Sequence, residues 1–130
     1  MTDTDTMSIK EYRQHLQAEH SLQALVVRHL SYGVRDGINY FAIPNAAKRG
    51  PKLASWLKAE GLQAGVADLV FMLPRGKVAW LELKTESKKS KQNDAQLNFE
   101  RICKKLGHPY AVARNIDEAL AILRKWRIMK

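Results

Sequence analysis

The stretch from Gly65 to Lys84, GVADLVFMLPRGKVAWLELK, constrains the fold more than any other part of the chain. Two nearly continuous apolar runs, 66–73 and 78–83, are separated by Pro-Arg-Gly, which is typical of a tight turn. Continuous apolar strands are usually covered on both faces, as in the middle of an α/β sheet. The pattern therefore predicts a central β-hairpin in an α/β fold.

Each run contains one carboxylate, Asp68 in the first and Glu82 in the second. Side chains alternate along a strand, so Glu82 and Lys84 are expected on one face. A three-residue Pro-Arg-Gly loop would place Leu73 opposite Lys77, and therefore Asp68 opposite Glu82. A two-residue loop would put the carboxylates on opposite faces. We predict the three-residue loop, or a bulge with the same effect.

Two adjacent carboxylates repel, and one would be protonated at neutral pH unless a cation lay beside them. Oxygen ligands without Cys or His suit Mg²⁺ or Mn²⁺. Such a cation lowers the pKa of bound water and stabilises charge that develops on a phosphate. Lys84 could orient the attacking water or help to deprotonate it. The alternative interpretation of Asp68, Glu82 and Lys84 is a structural ion pair within the sheet.

The motifs, in their order along the chain, resemble the VRR-NUC branch of the PD-(D/E)XK nuclease superfamily. The resemblance extends over about 19–126. Ala67 stands where the family usually has proline, which removes backbone stiffness before Asp68 but no ligand. The matching positions are Glu19 with Gln23, then Gly65 to Asp68, then Glu82 with Lys84, and then Gln96 on a helix.

This resemblance implies a restriction-endonuclease-like fold and a Mg²⁺- or Mn²⁺-dependent endodeoxyribonuclease that leaves a 5′-phosphate and a 3′-hydroxyl. Asp68 and Glu82 would bind the metal together with the Leu83 carbonyl, and Glu19 would complete or support the site. Lys84 would position the water, and Gln96 would orient the substrate or Lys84. Stand-alone members of the family resemble Holliday junction resolvases, so we expect branched DNA as the substrate and a homodimer.

The charge is distributed unevenly. The chain has 22 Lys and Arg against 13 Asp and Glu, and residues 48–130 hold 18 of the former and 8 of the latter. A positive field attracts polyanions, with nucleic acid the first candidate. A catalytically silent nucleic-acid-binding module that keeps the nuclease fold is therefore the alternative function. Two basic segments are candidate backbone contacts, although charge runs are also common on solvated faces: Lys48, Arg49 and Lys52, and Lys88, Lys89 and Lys91.

Periodicity predicts one domain over 1–130 with a loose N-terminus at 1–8. The predicted order is helix, strand, helix, strand, strand, helix, strand, helix, which suits a mixed four-stranded sheet flanked by helices. Trp56 on the second helix is assigned to the core in preference to a base-stacking platform. The third helix is predicted to begin at a cap formed by Asn93 or Asp94. Its buried stripe is predicted to consist of Phe99, Ile102, Cys103 and Leu106.

Several classes of protein are excluded or disfavoured by the sequence. A single cysteine, Cys103, excludes an internal disulfide and a Cys-rich zinc site, and its place on an apolar stripe indicates a packed thiol. No phosphate-binding loop and no Gly-x-Ser-x-Gly motif occurs. No run reaches membrane-spanning length and the N-terminus lacks a signal pattern. We therefore expect an intracellular protein without membrane partners, in the bacterial cytoplasm or that of a phage-infected host.

Overall fold

The computed structural model describes residues 8–44, 50–86 and 91–130. The order of elements is the predicted one, and the segment before the first strand forms a single long helix capped by the Ser8 side chain. A 3₁₀ turn at Pro74–Gly76 joins the two strands of the central hairpin. The elements are α1 (Ile9–Gly33), β1 (Asn39–Ala42), α2 (Pro51–Ala59), β2 (Leu69–Met72), β3 (Val78–Leu83), α3 (Asp94–Leu106), β4 (Tyr110–Ala113) and α4 (Ile116–Lys125).

The four strands form one sheet in the order β1-β2-β3-β4. β2 pairs antiparallel with both β1 and β3. Between β3 and β4, Trp80 N donates to Pro109 O and Lys84 N donates to Ala113 O, each at 2.9 Å. Donor and acceptor advance together along the two strands, which makes this pair parallel. The predicted α/β fold with a mixed four-stranded sheet is confirmed.

The chain divides into two compact units, one of which comprises 39–82 and 92–110. Its core is built where α3 lays Phe99 and Cys103 against Ala67 and against the aromatic side chains of Trp80 and Tyr110. The Phe99 ring contacts Trp80 edge-on at a centroid distance of 5.0 Å. Aromatic pairs in this geometry are stabilising beyond the area that they bury. This packing holds the face of α3 against the strands that contain the carboxylates.

The second unit comprises 1–38, 83–91 and 111–130. Its core forms where α1 and α4 meet, with Val26 and Leu30 of α1 and Leu123 of α4 fully buried. The end of the chain returns to α1 through a bridge between Val34 and Met129. No helix in the described ranges is both long and apolar enough to span a bilayer.

The prediction that Trp56 lies in the core is wrong. The indole is 71% exposed, and α2 contains no buried residue. The prediction of the buried residues of α3 is only partly correct, because Phe99 and Cys103 are buried whereas Ile102 and Leu106 are exposed. Ile102 lies about 60° around the helix from Phe99 and about 100° from Cys103, which turns it away from the line of contact. Apolar periodicity marks a face of a helix, but burial also requires a neighbour on that face.

Gly65 provides a test of how closely α3 approaches the hairpin. Its φ is +83°, and a Cβ there would lie 2.3 Å from the carbonyl carbon and oxygen of Ala95. Gly65→Ala should therefore lower the free energy of unfolding by more than about 2 kcal/mol, since conformational strain and a backbone collision add. Gly76→Ala is the matched control, with φ +74° and no atom within 4 Å of the added carbon. Denaturant unfolding of both variants measures the difference, and equal losses would contradict the close approach.

Candidate active site

The register of the hairpin determines where the two carboxylates lie. β2 and β3 pair from Leu69 opposite Leu81 to Met72 opposite Val78, and Leu73 N donates to Lys77 O at 2.8 Å. The loop therefore has three residues, as predicted. The same register, continued by one position, puts Asp68 opposite Glu82. Directly opposite residues share a face with their Cβ atoms about 5 Å apart, so the predicted side-by-side arrangement is confirmed in its register.

Arg75 and Gly76 adopt positive φ values of 66° and 74° within the loop. Proline begins the turn with a φ that suits it, and glycine accepts the left-handed conformation without cost from a Cβ. The local chemistry of Pro-Arg-Gly thus forms the three-residue connection, and the connection aligns the carboxylates. The turn at one end of the hairpin thus fixes which residues of β2 and β3 lie opposite each other, including the carboxylates at the other end.

Glu82 is only 2% exposed, whereas Asp68 is half-buried. Burial, reinforced by the negative charges of Glu82 and Glu100, raises the pKa of Tyr110 well above its ordinary value. The Tyr110 hydroxyl therefore stays protonated, and it accepts a hydrogen bond from Gln92 Nε2 at 3.1 Å. Glu82 is thus a carboxylate almost completely withdrawn from water, opposite a second carboxylate. A hard cation held by carboxylate oxygens would relieve the repulsion in such surroundings.

Asp68 lines a small pocket between the hairpin and the first turn of α3. The pocket has about 70 Å³ of space for water-sized molecules, enough for a few waters or a hydrated ion. The N-terminal end of a helix carries partial positive charge and unpaired N–H groups, which favour an anion. A carboxylate and a helix N-terminus therefore face one cavity. Its lining residues are Pro44, Gln63, Ala64, Gly65, Val66, Asp68, Asn93, Ala95 and Gln96.

Gln96 lines the same pocket and is 8% exposed. Its Oε1 accepts from Asn93 N at 2.9 Å, while Asn93 Oδ1 accepts from Gln96 N at 2.9 Å. This reciprocal capping box begins α3. Gln96 therefore faces inward at the start of α3, and its capping role was missed, although Asn-x-x-Gln before an apolar run signals it. With Oε1 used in the cap, Nε2 is the group that can act on a ligand.

Lys84 and Leu83 follow Glu82 directly and belong to the other compact unit. Lys84 is 7% exposed, and Leu83 is also buried. Lysine is almost never this buried unless its charge is compensated or used. The extended backbone at Lys84 is held to Ala113. The role of Lys84 toward water and that of the Leu83 carbonyl toward a metal stay predictions.

Glu19 lies on α1, half-buried, with its Oε1 3.1 Å from His15 Nε2. Gln23, one turn further along, is also half-buried. Across 8–44, 50–86 and 91–130, no group of three or more His, Cys, Asp or Glu side chains is arranged to hold a metal ion. The structure therefore aligns two carboxylates in the hairpin, and the contribution of Glu19 rests on the resemblance alone.

Two of the six basic residues predicted to contact DNA lie within the described residues. Lys52 on α2 and Lys91 before α3 are both exposed. Exposed lysine side chains are common contacts of the phosphate backbone in protein–DNA complexes. Lys48, Arg49, Lys88 and Lys89 lie outside the described residues.

Comparison with known proteins was decisive at the level of fold. Neither a family model nor a curated protein matches the sequence. One solved structure, named "VRR_NUC domain protein", aligns with a TM-score of 0.66 and 22% identity over 84% of this chain and 87% of that one. The chain has the VRR-NUC domain fold. A second solved structure, named "VRR_NUC domain", aligns with a TM-score of 0.58 and 17% identity over 84% of this chain and 97% of that one.

The VRR-NUC fold therefore confirms the resemblance that the ordered motifs indicated. The shared fold covers most of the chain. The identities are low, so the fold is shared while the roles of individual side chains must be argued from this chain. The register of Asp68 and Glu82 is the observation within this chain that agrees with the motif assignment.

Cys103 provides a separate test of the core beneath the site. Burial, with a smaller effect from the negative charge of Glu100, raises the pKa of its thiol to about 11. A thiol with this pKa is protonated at neutral pH and has roughly 100-fold less thiolate than an ordinary cysteine. We expect Ellman's reagent at pH 8 to label the native protein at least about 100-fold more slowly than the protein in guanidinium. Fast stoichiometric labelling of the native protein would contradict the packed thiol, and Cys103→Ser supplies the blank.

Proposed function

We propose that this chain is a metal-dependent endodeoxyribonuclease that hydrolyses phosphodiester bonds in branched DNA, with Holliday junctions the leading substrate. The observation that supports it most directly is the register that aligns Asp68 with Glu82 in a VRR-NUC fold. Two carboxylates placed side by side repel each other, and a divalent cation bound between them relieves that repulsion. Such a pair of carboxylates fits a Mg²⁺ or Mn²⁺ site better than a plain binding surface for an anion.

In this proposal Asp68 and Glu82 hold the metal, and the resemblance adds the Leu83 carbonyl and Glu19. The bound cation would supply charge neutralisation at the phosphate and a lower pKa for its water. Lys84 would orient that water or help to remove its proton. Gln96 would donate from Nε2 to a phosphate oxygen, beside the N-terminus of α3, where anions are favoured. The expected products are a 5′-phosphate and a 3′-hydroxyl.

The alternative is a catalytically silent nucleic-acid-binding module with the same fold. The excess of basic residues in 48–130 would support either function. Carboxylates next to a phosphate hinder plain binding, because they repel the anion. Asp68 and Glu82 therefore favour the enzyme, and a cleavage assay on branched DNA with Mg²⁺ or Mn²⁺ separates the two functions.

Substitution of the site residues tests the enzyme. Asp68→Asn, Glu82→Gln and Lys84→Ala should each lower cleavage of a four-way junction by at least about 100-fold, because each removes a metal ligand or the cation at the water. EDTA should abolish cleavage, and added Mg²⁺ should restore it. Calorimetry with Mn²⁺ gives a readout besides activity, since Asp68→Asn should lose the metal-binding signal.

Asp36→Asn is the matched control, because it removes an exposed carboxylate that has no place in the proposed site. Its cleavage rate should equal that of the parent chain. DNA binding, measured by fluorescence anisotropy, should persist in Asp68→Asn. Unchanged cleavage by Asp68→Asn would remove the assignment, and cleavage that survives EDTA would remove the metal. Binding without cleavage under every metal condition would establish the silent module.

We also propose that the protein acts as a homodimer, since paired cuts in a symmetric junction need two sites. Sedimentation velocity should give a particle of twice the 14.8 kDa chain mass at working concentrations. Addition of a four-way junction should give a complex of two chains with one junction. A monomer that cuts junctions at the full rate would contradict the proposal.

A further inference from the structure

α2 presents a tryptophan to solvent. Trp56 is mostly exposed, Leu53 is partly exposed one turn earlier, and the helix contains no buried residue. A large ring that remains in water forgoes the stabilisation that burial would give it. Single exposed aliphatic residues are common on protein surfaces and need no explanation. A nearly free indole on a nine-residue helix is a stronger signal, because its π-face is open to a flat ligand.

The charged residues of α2 are both lysines. Lys52 and Lys58 are both exposed on α2, and the helix has no acidic residue from Pro51 to Ala59. Lys52 lies four residues before Trp56, so its side chain is on the same side of the helix as the ring. Glu60 follows only as the C-cap. The surface thus combines an open aromatic face with an ammonium group one turn away.

We propose that Trp56 is a stacking platform for an unpaired base of the DNA substrate, with Lys52 contacting the phosphate backbone beside it. The proposal rests on the proposed function, because it assumes a nucleic-acid substrate. Proteins that bind single strands combine aromatic faces, on which bases stack, with positive charge along the backbone. Every base has a π-face, so this contact selects unpaired DNA by its shape and not by its sequence.

Trp56 lies close enough to the site to act on the same substrate. α2 and the pocket belong to one compact unit, and the chain passes from α2 to Gln63 and Ala64, which line the pocket with Asp68. The helical rise to Ala59 and an extended chain from there limit the distance between the Cα atoms of Trp56 and Gln63 to about 20 Å. That distance corresponds to about six base steps of duplex DNA at 3.4 Å per step, and to fewer nucleotides of an extended single strand. The stacked base would therefore lie near the junction or flap that is cut.

A second copy of this chain is the competing occupant, and two observations disfavour it. Trp56 and Leu53 together expose on the order of 250 Å², whereas a stable interface needs about 800 Å² per partner. In a two-fold interface centred on α2, Lys52 and Lys58 would also approach the same residues of the other copy. Like charges across an interface are repulsive, whereas a polyanion is attracted to them.

The test separates an aromatic face from mere apolar area. Trp56→Leu keeps an apolar side chain but removes the π-face, whereas Trp56→Phe keeps a smaller π-face. Binding to a fluorescent oligo-dT strand should weaken about ten-fold or more in Trp56→Leu and less than about three-fold in Trp56→Phe. Tyr32 is an exposed aromatic residue on α1, away from α2 in the sequence. Tyr32→Leu is therefore the matched control, and its binding to oligo-dT should equal that of the parent chain. Circular dichroism should show all variants folded, because both rings lie at the surface.

Each outcome decides the proposal. Parental binding by Trp56→Leu overturns it, as does equal weakening in the two Trp56 variants. Loss of dimer by Trp56→Leu in sedimentation, with unchanged oligo-dT binding, assigns the surface to a second copy instead. If the parent chain cuts junctions while Trp56→Leu binds oligo-dT normally, only the stacking role fails. If the parent chain binds no DNA in any form, the proposed function fails together with it.

Discussion

The antiparallel pairing of β2 with β3 is the constraint on which the rest of the site depends. A one-residue slip in this pairing would send Glu82 to the other face of the sheet relative to Asp68. The pairing from Leu69 opposite Leu81 to Met72 opposite Val78 prevents such a slip, because every apolar side chain would change faces with it. The hydrophobic core and the alignment of the carboxylates are therefore secured by the same set of backbone hydrogen bonds.

The second constraint is the close approach of α3 to the segment before β2. Gly65 leaves no room for a side chain against the backbone of Ala95. The approach brings the capped N-terminus of α3, with Gln96, to the pocket that Asp68 lines. Gly65 thus allows the Asp68 carboxylate and the positive N-terminal end of α3 to line the same cavity. Such a pair is suited to a metal and an anionic phosphate together.

Charge burial in this chain is concentrated in the short segment that the motif assignment identifies. Glu82 and Lys84 are the charged residues among the buried positions of the described chain, and Gln96 is the buried amide. Buried charges contribute little to stability and often reduce it. The proposed function gives both side chains a role, Glu82 at the metal and Lys84 at the water. By contrast Cys103 is an uncharged thiol in the core that α3 forms with Ala67.

The sequence by itself determined the order of elements, the three-residue turn and the register of Asp68 against Glu82, because turn chemistry and strand alternation act over a few residues. It also indicated the VRR-NUC fold through motifs in a set order. Only the tertiary structure decided which apolar side chains are covered: Phe99 and Cys103 are, whereas Trp56, Ile102 and Leu106 are not. It likewise brought Gln96 to the pocket that Asp68 lines. Periodicity names a face of a helix, but burial and pairing depend on what another part of the chain brings to that face.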